Sequence, residues 1–165
     1  MRTLILLPMI AVLITGCSNT EPTAFEFKSL VRTNKPNSYL LCPKKYCHTR
    51  VDGEAYIYKA NTTALISAWK KMIAIQPRTT LLVSNQEAGS FQYVQYSRFF
   101  HFPDYIDVKF IPLTKSTSTL AIYSHAVYGY YDFHVNENRV KSWLKAIDLT
   151  TLPSNSDQLV SPSPH

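Results

Sequence analysis

The chain has 165 residues, with 17 basic and 11 acidic side chains, a formal charge of +6 and an apolar fraction of 45%. That composition excludes disorder throughout, and the length suits a single domain with its own core. The lysines are scattered and no long basic run or nucleic-acid motif is present, so the charge fits weak attraction to anionic lipid or cell-wall polymers and not nucleic-acid binding.

The chain opens MRTLILLPMIAVLITGC, with Arg2 as its one charged side chain and an apolar run from Leu4 to Ile14. A charged start, a short apolar run and small residues at its end describe a secretory signal over residues 1–16. The run is shorter than the roughly 20 residues a helix needs to cross a bilayer, so a permanent span is not expected. Ile14-Thr15-Gly16-Cys17 resembles the lipobox of bacterial lipoproteins, which implies a mature chain that begins at an acylated Cys17. Two or more acyl chains, palmitate among them, would make that anchoring stable. Ser18 follows with no aspartate beside it, a pattern that by analogy with Gram-negative lipoproteins implies transfer to the outer membrane, facing the periplasm.

Residues 17–37 hold Ser, Asn, Thr, Pro and Lys with little periodicity and read as a lipidated tether. The three cysteines then sort themselves. With Cys17 consumed by lipid, Cys42 and Cys47 are a pair in an oxidising compartment, with Pro43 to help turn the chain. A zinc site would need a fourth ligand beyond these two and His48, and a redox pair usually spaces its cysteines by two residues, not four. The reading is a structural disulfide, worth about 2 kcal/mol on the chain-entropy model.

Asn61–Gln76 is predicted as a helix that Asn61 or Thr62 caps and Pro77 ends, with Leu65, Ala68, Trp69, Met72 and Ile73 on one face. Strand patterns follow at 79–84, 91–97, 105–111 and 120–128, with turns at 85–89 and 115–119. In the third, Ile106, Val108 and Phe110 face one way while Asp107 and Lys109 face the other. A second helix is expected from about Asn136, as its cap, to Ile147, with Val140, Trp143, Leu144 and Ile147 as its apolar stripe. Residues 149–165, rich in Ser and Pro, are expected to be disordered. The fold class is therefore α+β: a mostly antiparallel sheet of about four to five strands, with two helices packed on one face of a domain spanning 38–148. The other face is left wet or partnered.

At Gly129, Asp132, Asn136 and Arg139 the spacing resembles the strand-to-helix signature of the domain of unknown function 1499 family. Phe102-Pro103-Asp104 resembles that family's Phe-x-Asp step, and Cys42-Pro43 with Cys47 its cysteine-bearing start. The resemblance implies an envelope association and names no reaction. This chain departs from the family where Val127, Tyr131 and His134 stand in place of an arginine, a serine and a glycine.

Two candidate sites emerge. Asp132, ahead of a helix, could accept from its amides or pair with Arg139, and the trio Asp132, Asn136 and Arg139 is either a structural corner or a small site for an anion. The stretch Phe91–Phe102 offers Tyr93, Arg98 and His101 as a recognition surface if they are exposed together. His125 and His134 share no metal-ligand spacing, no Gly-x-Ser-x-Gly is present, and four glycines leave no glycine-rich phosphate loop, so no metal, cofactor or catalytic residue is assigned. The expectation is a membrane-anchored, non-catalytic envelope module that binds a protein complex or cell-wall component. The alternative is an enzyme or small-ligand carrier with a polar site near Asp132 and Arg139.

Overall fold

The computed structural model describes residues 25–151, with side chains described as far as Ile147. Six strands form one sheet: β1 (Ser38–Cys42), β2 (Gly53–Glu54), β3 (Thr79–Asn85), β4 (Ser90–Tyr96), β5 (Pro103–Pro112) and β6 (Ser118–Ala126). Their order is β2-β1-β6-β5-β4-β3. Strands β3 to β6 form a meander, β1 joins β6 antiparallel, and only β1 and β2 run parallel. The sheet is thus mixed and six-stranded, two strands broader than the sequence periodicity shows. The extra strands hide for physical reasons. Tyr39 and Leu41 face one side and Leu40 and Cys42 the other, all buried, so β1 has no polar alternation to reveal it. Strand β2 is two residues long.

Two helices, α1 (Thr62–Ala74) and α2 (Val135–Thr151), cover one face together. In α1 the Asn61 side chain accepts from the amide of Ala64 at 2.9 Å, and Leu65, Ala68, Trp69 and Met72 recur at helical spacing on the buried side. In α2 the buried set is Val140, Trp143, Leu144 and Ile147, the expected stripe. The helix runs on to Thr151, past its expected end and into the expected tail, whose remainder, 152–165, lies outside the described residues. Trp69 sits where both layers meet, edge-on to Phe110 at 5.9 Å and to Trp143 at 5.8 Å. Edge-to-face rings of this kind stabilise by about 1 kcal/mol beyond the area they bury. Neither helix is long and apolar enough to cross a membrane.

The hairpins close with local chemistry. Asn85 Oδ1 accepts from the amide of Ala88 at 2.9 Å, and Gly89 takes a φ of +62°, where an added Cβ would come 3.1 Å from the Phe110 carbonyl oxygen. Glycine is the residue that permits this approach.

The second face is not simply wet. Residues expected in the tether lie on it: Phe27 is 2% exposed in a cluster with Leu40, Cys42, Ala121 and Tyr123, and Phe25 stacks on Tyr123 at 5.9 Å. Two aromatic rings, with Leu30 packed beside them, give the segment enough apolar area to dock. Residues 25–37 therefore belong with the domain, while 17–24 lie outside the described residues. Arg32 clamps the same segment down, with its guanidinium 2.7 Å from Asp52, whose carboxylate also accepts from the amide of Leu40 at 2.8 Å. The Cys42–Cys47 disulfide closes the loop that follows β1, as the cysteine reading expects. Asp107, expected on a solvated or partnered side, is fully buried there.

Candidate functional site

The chain assembles its polar residues at one end of the sheet, where β4 leads to β5 through residues 97–102 and β6 leads to α2 through residues 127–134. Backbone bonds fasten the two loops. The amide of Val127 donates to Pro103 O at 3.2 Å, and that of Ser97 to Phe102 O at 2.9 Å. Asn37 ties β1 to the same place: its side chain donates to Gly129 O at 2.9 Å, and its carbonyl accepts from the amide of Ala126.

Asp132 turns the chain into α2. Its carboxylate accepts from the amides of His134 at 3.1 Å and Asn136 at 2.9 Å, placing negative charge over the positive end of the helix. Asp132 is therefore the residue that caps, and Asn136, expected as the cap, lies inside the helix and is fully buried. The Asn136 amide is satisfied on both sides. Nδ2 donates to Asp132 at 2.7 Å and to Asn37 O at 3.2 Å, while Oδ1 accepts from Ser124 Oγ at 2.6 Å and from Arg139 at 2.5 Å. Four contacts fill the capacity of an asparagine side chain.

Arg139 completes the corner. Its guanidinium donates to Gln95 Oε1 at 2.6 Å, Ser124 Oγ at 2.9 Å, Asn136 Oδ1, and Asp104 Oδ2 at 2.5 Å. Its partner is Asp104, not Asp132, and the side chains of that pair are 7% and 14% exposed. Burial pushes the Asp104 carboxyl up from its ordinary value, and the Arg139 guanidinium pulls it back down. With four of its hydrogen bonds made inside the domain, Arg139 has little left to offer an incoming anion.

A cleft of about 260 Å³ lies beside this corner, lined by Arg32, Lys35, Arg50, Asp52, Asp132 and Glu137 among others. Most of its charges are already matched: Asp52 with Arg32, and Glu137 with Lys141 at 2.6 Å and His134 at 2.9 Å. Those two neighbours hold the Glu137 carboxyl below its usual value.

Of the candidate surface residues, Tyr93 is 3% exposed and faces the helices, where its hydroxyl accepts from Trp69 Nε1 at 3.1 Å. It is core, because its register on β4 puts it opposite Ile106 on the covered face. Arg98 and His101 are exposed, and the Arg98 guanidinium lies 5.5 Å over the Phe99 ring. Around them stand aromatic rings from the singled-out stretch Phe91–Phe102, joined by others from residues 127–134 that the sequence pattern does not single out. Phe99, Phe100 and Phe133 are each more than three-quarters exposed, and Phe102, Tyr128, Tyr130 and Tyr131 stand beside them. Phe100 stacks on Phe102 at 5.5 Å, Phe102 meets Tyr128 at 5.7 Å, and Tyr131 meets Phe133 at 5.0 Å. The two loops thus carry two exposed aromatic clusters at the same end of the sheet, Phe100 with Phe102 and Tyr128, and Tyr131 with Phe133, which together make up an aromatic rim. Its signal is a run of aromatics that strand propensity absorbs, so their placement in exposed loops goes unread. His134, where the family resemblance places a glycine, has a φ of +62°, a conformation that favours glycine.

No curated protein matches this chain. Over residues 15–147 it matches the model of the family described as Protein of unknown function (DUF1499), which covers the sheet, both helices' buried stripes and the corner at Arg139, and the chain belongs to that family.

Proposed function

We propose that the protein is a lipid-anchored module of the cell envelope, held on the periplasmic side of the outer membrane through Cys17, which contacts another envelope component and catalyses no reaction. The observation that carries the reading is the contrast at one end of the molecule. The polar corner spends its hydrogen bonds on itself, while the aromatic rim above it is exposed with no covering partner among the described residues. Apolar patches rimmed by polar residues mark interaction surfaces in soluble domains. The lipobox at Ile14–Cys17 supplies the anchor, and the Cys42–Cys47 disulfide suits an oxidising compartment.

Intact mass of the protein purified from native membranes, joined to affinity capture with protein and lipid both identified, tests this. A chain that begins at Cys17 with the mass of a diacylglycerol adduct and copurifies with an envelope component supports it. A full-length unmodified chain with three free thiols, or a small molecule as the sole companion, overturns it. The second reading, a small-ligand carrier, rests on the 260 Å³ cleft beside Asp132. Asp132→Ala that leaves the fold intact but abolishes binding of a small molecule would favour it.

A further inference from the structure

We infer that the envelope component met by the aromatic rim is the bilayer itself: the domain lies with Phe99, Phe100, Tyr130 and Phe133 in the headgroup and upper acyl layer. This names the partner of the surface proposed above and, for its geometry, rests on the acylation of Cys17.

Three observations converge on it. The first is composition. The rim mixes phenylalanines with tyrosines, rings that place an apolar body in the acyl boundary and, for tyrosine, a hydroxyl among headgroups. The second is charge. The two loops carry Arg98 and His101 with no carboxylate ion-paired to either among the described residues, while Asp132 is committed to the α2 amides and His134 is paired with Glu137 at 2.9 Å. Arg78, at the start of the neighbouring β3, donates to Tyr96 O at 2.9 Å and stands at the same end, as does Ile75, which is 75% exposed. A basic fringe around exposed rings is complementary to an anionic lipid surface. A protein partner's pocket would be expected to bring carboxylates or hydrogen-bond acceptors to the same fringe.

The third observation is the leash. Seven residues separate Cys17 from Phe25, eight Cα steps, a reach of at most about 28 Å fully extended. Phe25 is fixed on Tyr123, and Tyr123 lies four residues before Val127 on β6, about 13 Å along the strand. The anchor thus enters the domain about midway along β6, and its reach lets the rim end meet the membrane without itself choosing between the two ends. Lipid on Cys17 supplies residence, and the rim sets orientation.

The test uses the acylated full protein carrying one of two reporters, Phe100→Trp on the rim or Leu113→Trp in the β5–β6 turn at the opposite end. Each is reconstituted into vesicles of phosphatidylglycerol and phosphatidylcholine with brominated acyl chains. The native Trp69 and Trp143 are buried in the core and give a constant background. Insertion of the rim to the usual interfacial depth brings its reporter to the bromines, so about a twofold loss of the added emission is expected there and none at Leu113→Trp. Equal quenching of both reporters, or of neither, overturns the proposal. Intact mass of the same samples separates the two claims. An acylated protein with an unquenched rim leaves the anchor standing and sinks the docking. An unacylated protein whose rim is quenched on adding vesicles sinks the anchor and leaves the docking standing. A rim reporter whose emission shifts to the blue without lipid, together with a doubled mass in light scattering, means that a second copy covers the rim and also overturns it.

Discussion

The corner at Arg139 is built from the strand and helix ends that the two rim loops join, yet corner and rim obey opposite rules. In the corner, Asp132, Asn136, Ser124 and Asp104 are each matched by a partner within the domain, and the guanidinium at their centre is 7% exposed. On the rim, large apolar rings stand in solvent. Burying a charge is tolerable only when its partners travel with it, whereas exposing a ring costs nothing in unmet hydrogen bonds. The difference teaches which contacts hold the fold and which do not: the corner fixes the strand and helix ends from which the loops spring, and the exposed rings add little to it.

The strongest challenge to that comparison is Arg139→Met. It leaves Asp104 as a buried carboxylate without its cation and strips donors from Gln95, Ser124 and Asn136. A loss of about 3–5 kcal/mol is expected in urea denaturation, most of it recovered when Asp104→Leu is added, since an apolar pair of similar volume avoids the desolvation of both charges. A loss under about 1 kcal/mol would break the comparison and free Arg139 for a ligand.

Asp107 sharpens it from the other side of the sheet. It lies three residues from Asp104 on β5 but has no cation paired with it among the described residues. Gln92 donates to its Oδ1 at 2.8 Å, and Oδ2 has no partner among the described residues. Burial pushes this carboxyl up to about 6 from an ordinary 3.8, with the Gln92 bond acting in the opposite direction. Above pH 6 the folded chain holds a costly charge. As pH falls from about 6 to about 4, the folded state takes up a proton that the unfolded chain does not yet bind, so stability rises. The rise attributable to Asp107 is at most about 3 kcal/mol, at ~1.4 kcal/mol per pKa unit. Asp107→Asn is expected to flatten it, read as the difference between the two proteins in denaturant titrations at several pH values. The difference matters because His125, stacked on Tyr123 at 4.7 Å and lowered by burial, works in the opposite direction in both.

Asp132→Ala is expected to cost about 1 kcal/mol, the usual loss for a removed helix cap, with the melting curve remaining cooperative. The amides of His134 and Asn136 lose their acceptor, and Asn136 Nδ2 loses one of two.

What the sequence reveals of this molecule depends on how far apart the interacting residues lie along the chain. The helix stripes Leu65, Ala68, Trp69, Met72 and Val140, Trp143, Leu144, Ile147 are readable because helical periodicity is local. The disulfide follows from counting three cysteines. Asp132, Asn136 and Arg139 announce themselves within one short segment, and the family resemblance carries Asp104. Gln95, Ser124 and Asn37 give no such sign, since their partners on α2 lie 44, 15 and 99 residues away and only the packing of that helix on the sheet brings them together. Tyr93 is misplaced by the same blindness: alternation tells two faces apart but does not say which one the helices cover.

The smallest effect on stability belongs to the rim, and that is its diagnostic value. Phe99→Ser combined with Phe100→Ser removes two rings that are 80% and 76% exposed, so unfolding should change by less than about 0.5 kcal/mol, the range for surface positions. The Arg98 guanidinium loses its ring contact with Phe99, a contribution of about 0.5 kcal/mol or less at an exposed site. If the rings serve contact alone, this variant should melt with the wild type while, compared in chains that carry no acyl group, its association with anionic vesicles falls about tenfold or more, because each exposed ring that enters the acyl boundary contributes in proportion to the area it buries. Denaturant titration and vesicle flotation on the same preparation decide it. Should the double variant instead lose several kcal/mol, the rings would be holding the two loops together, and corner and rim would be one structural unit and not two with separate tasks.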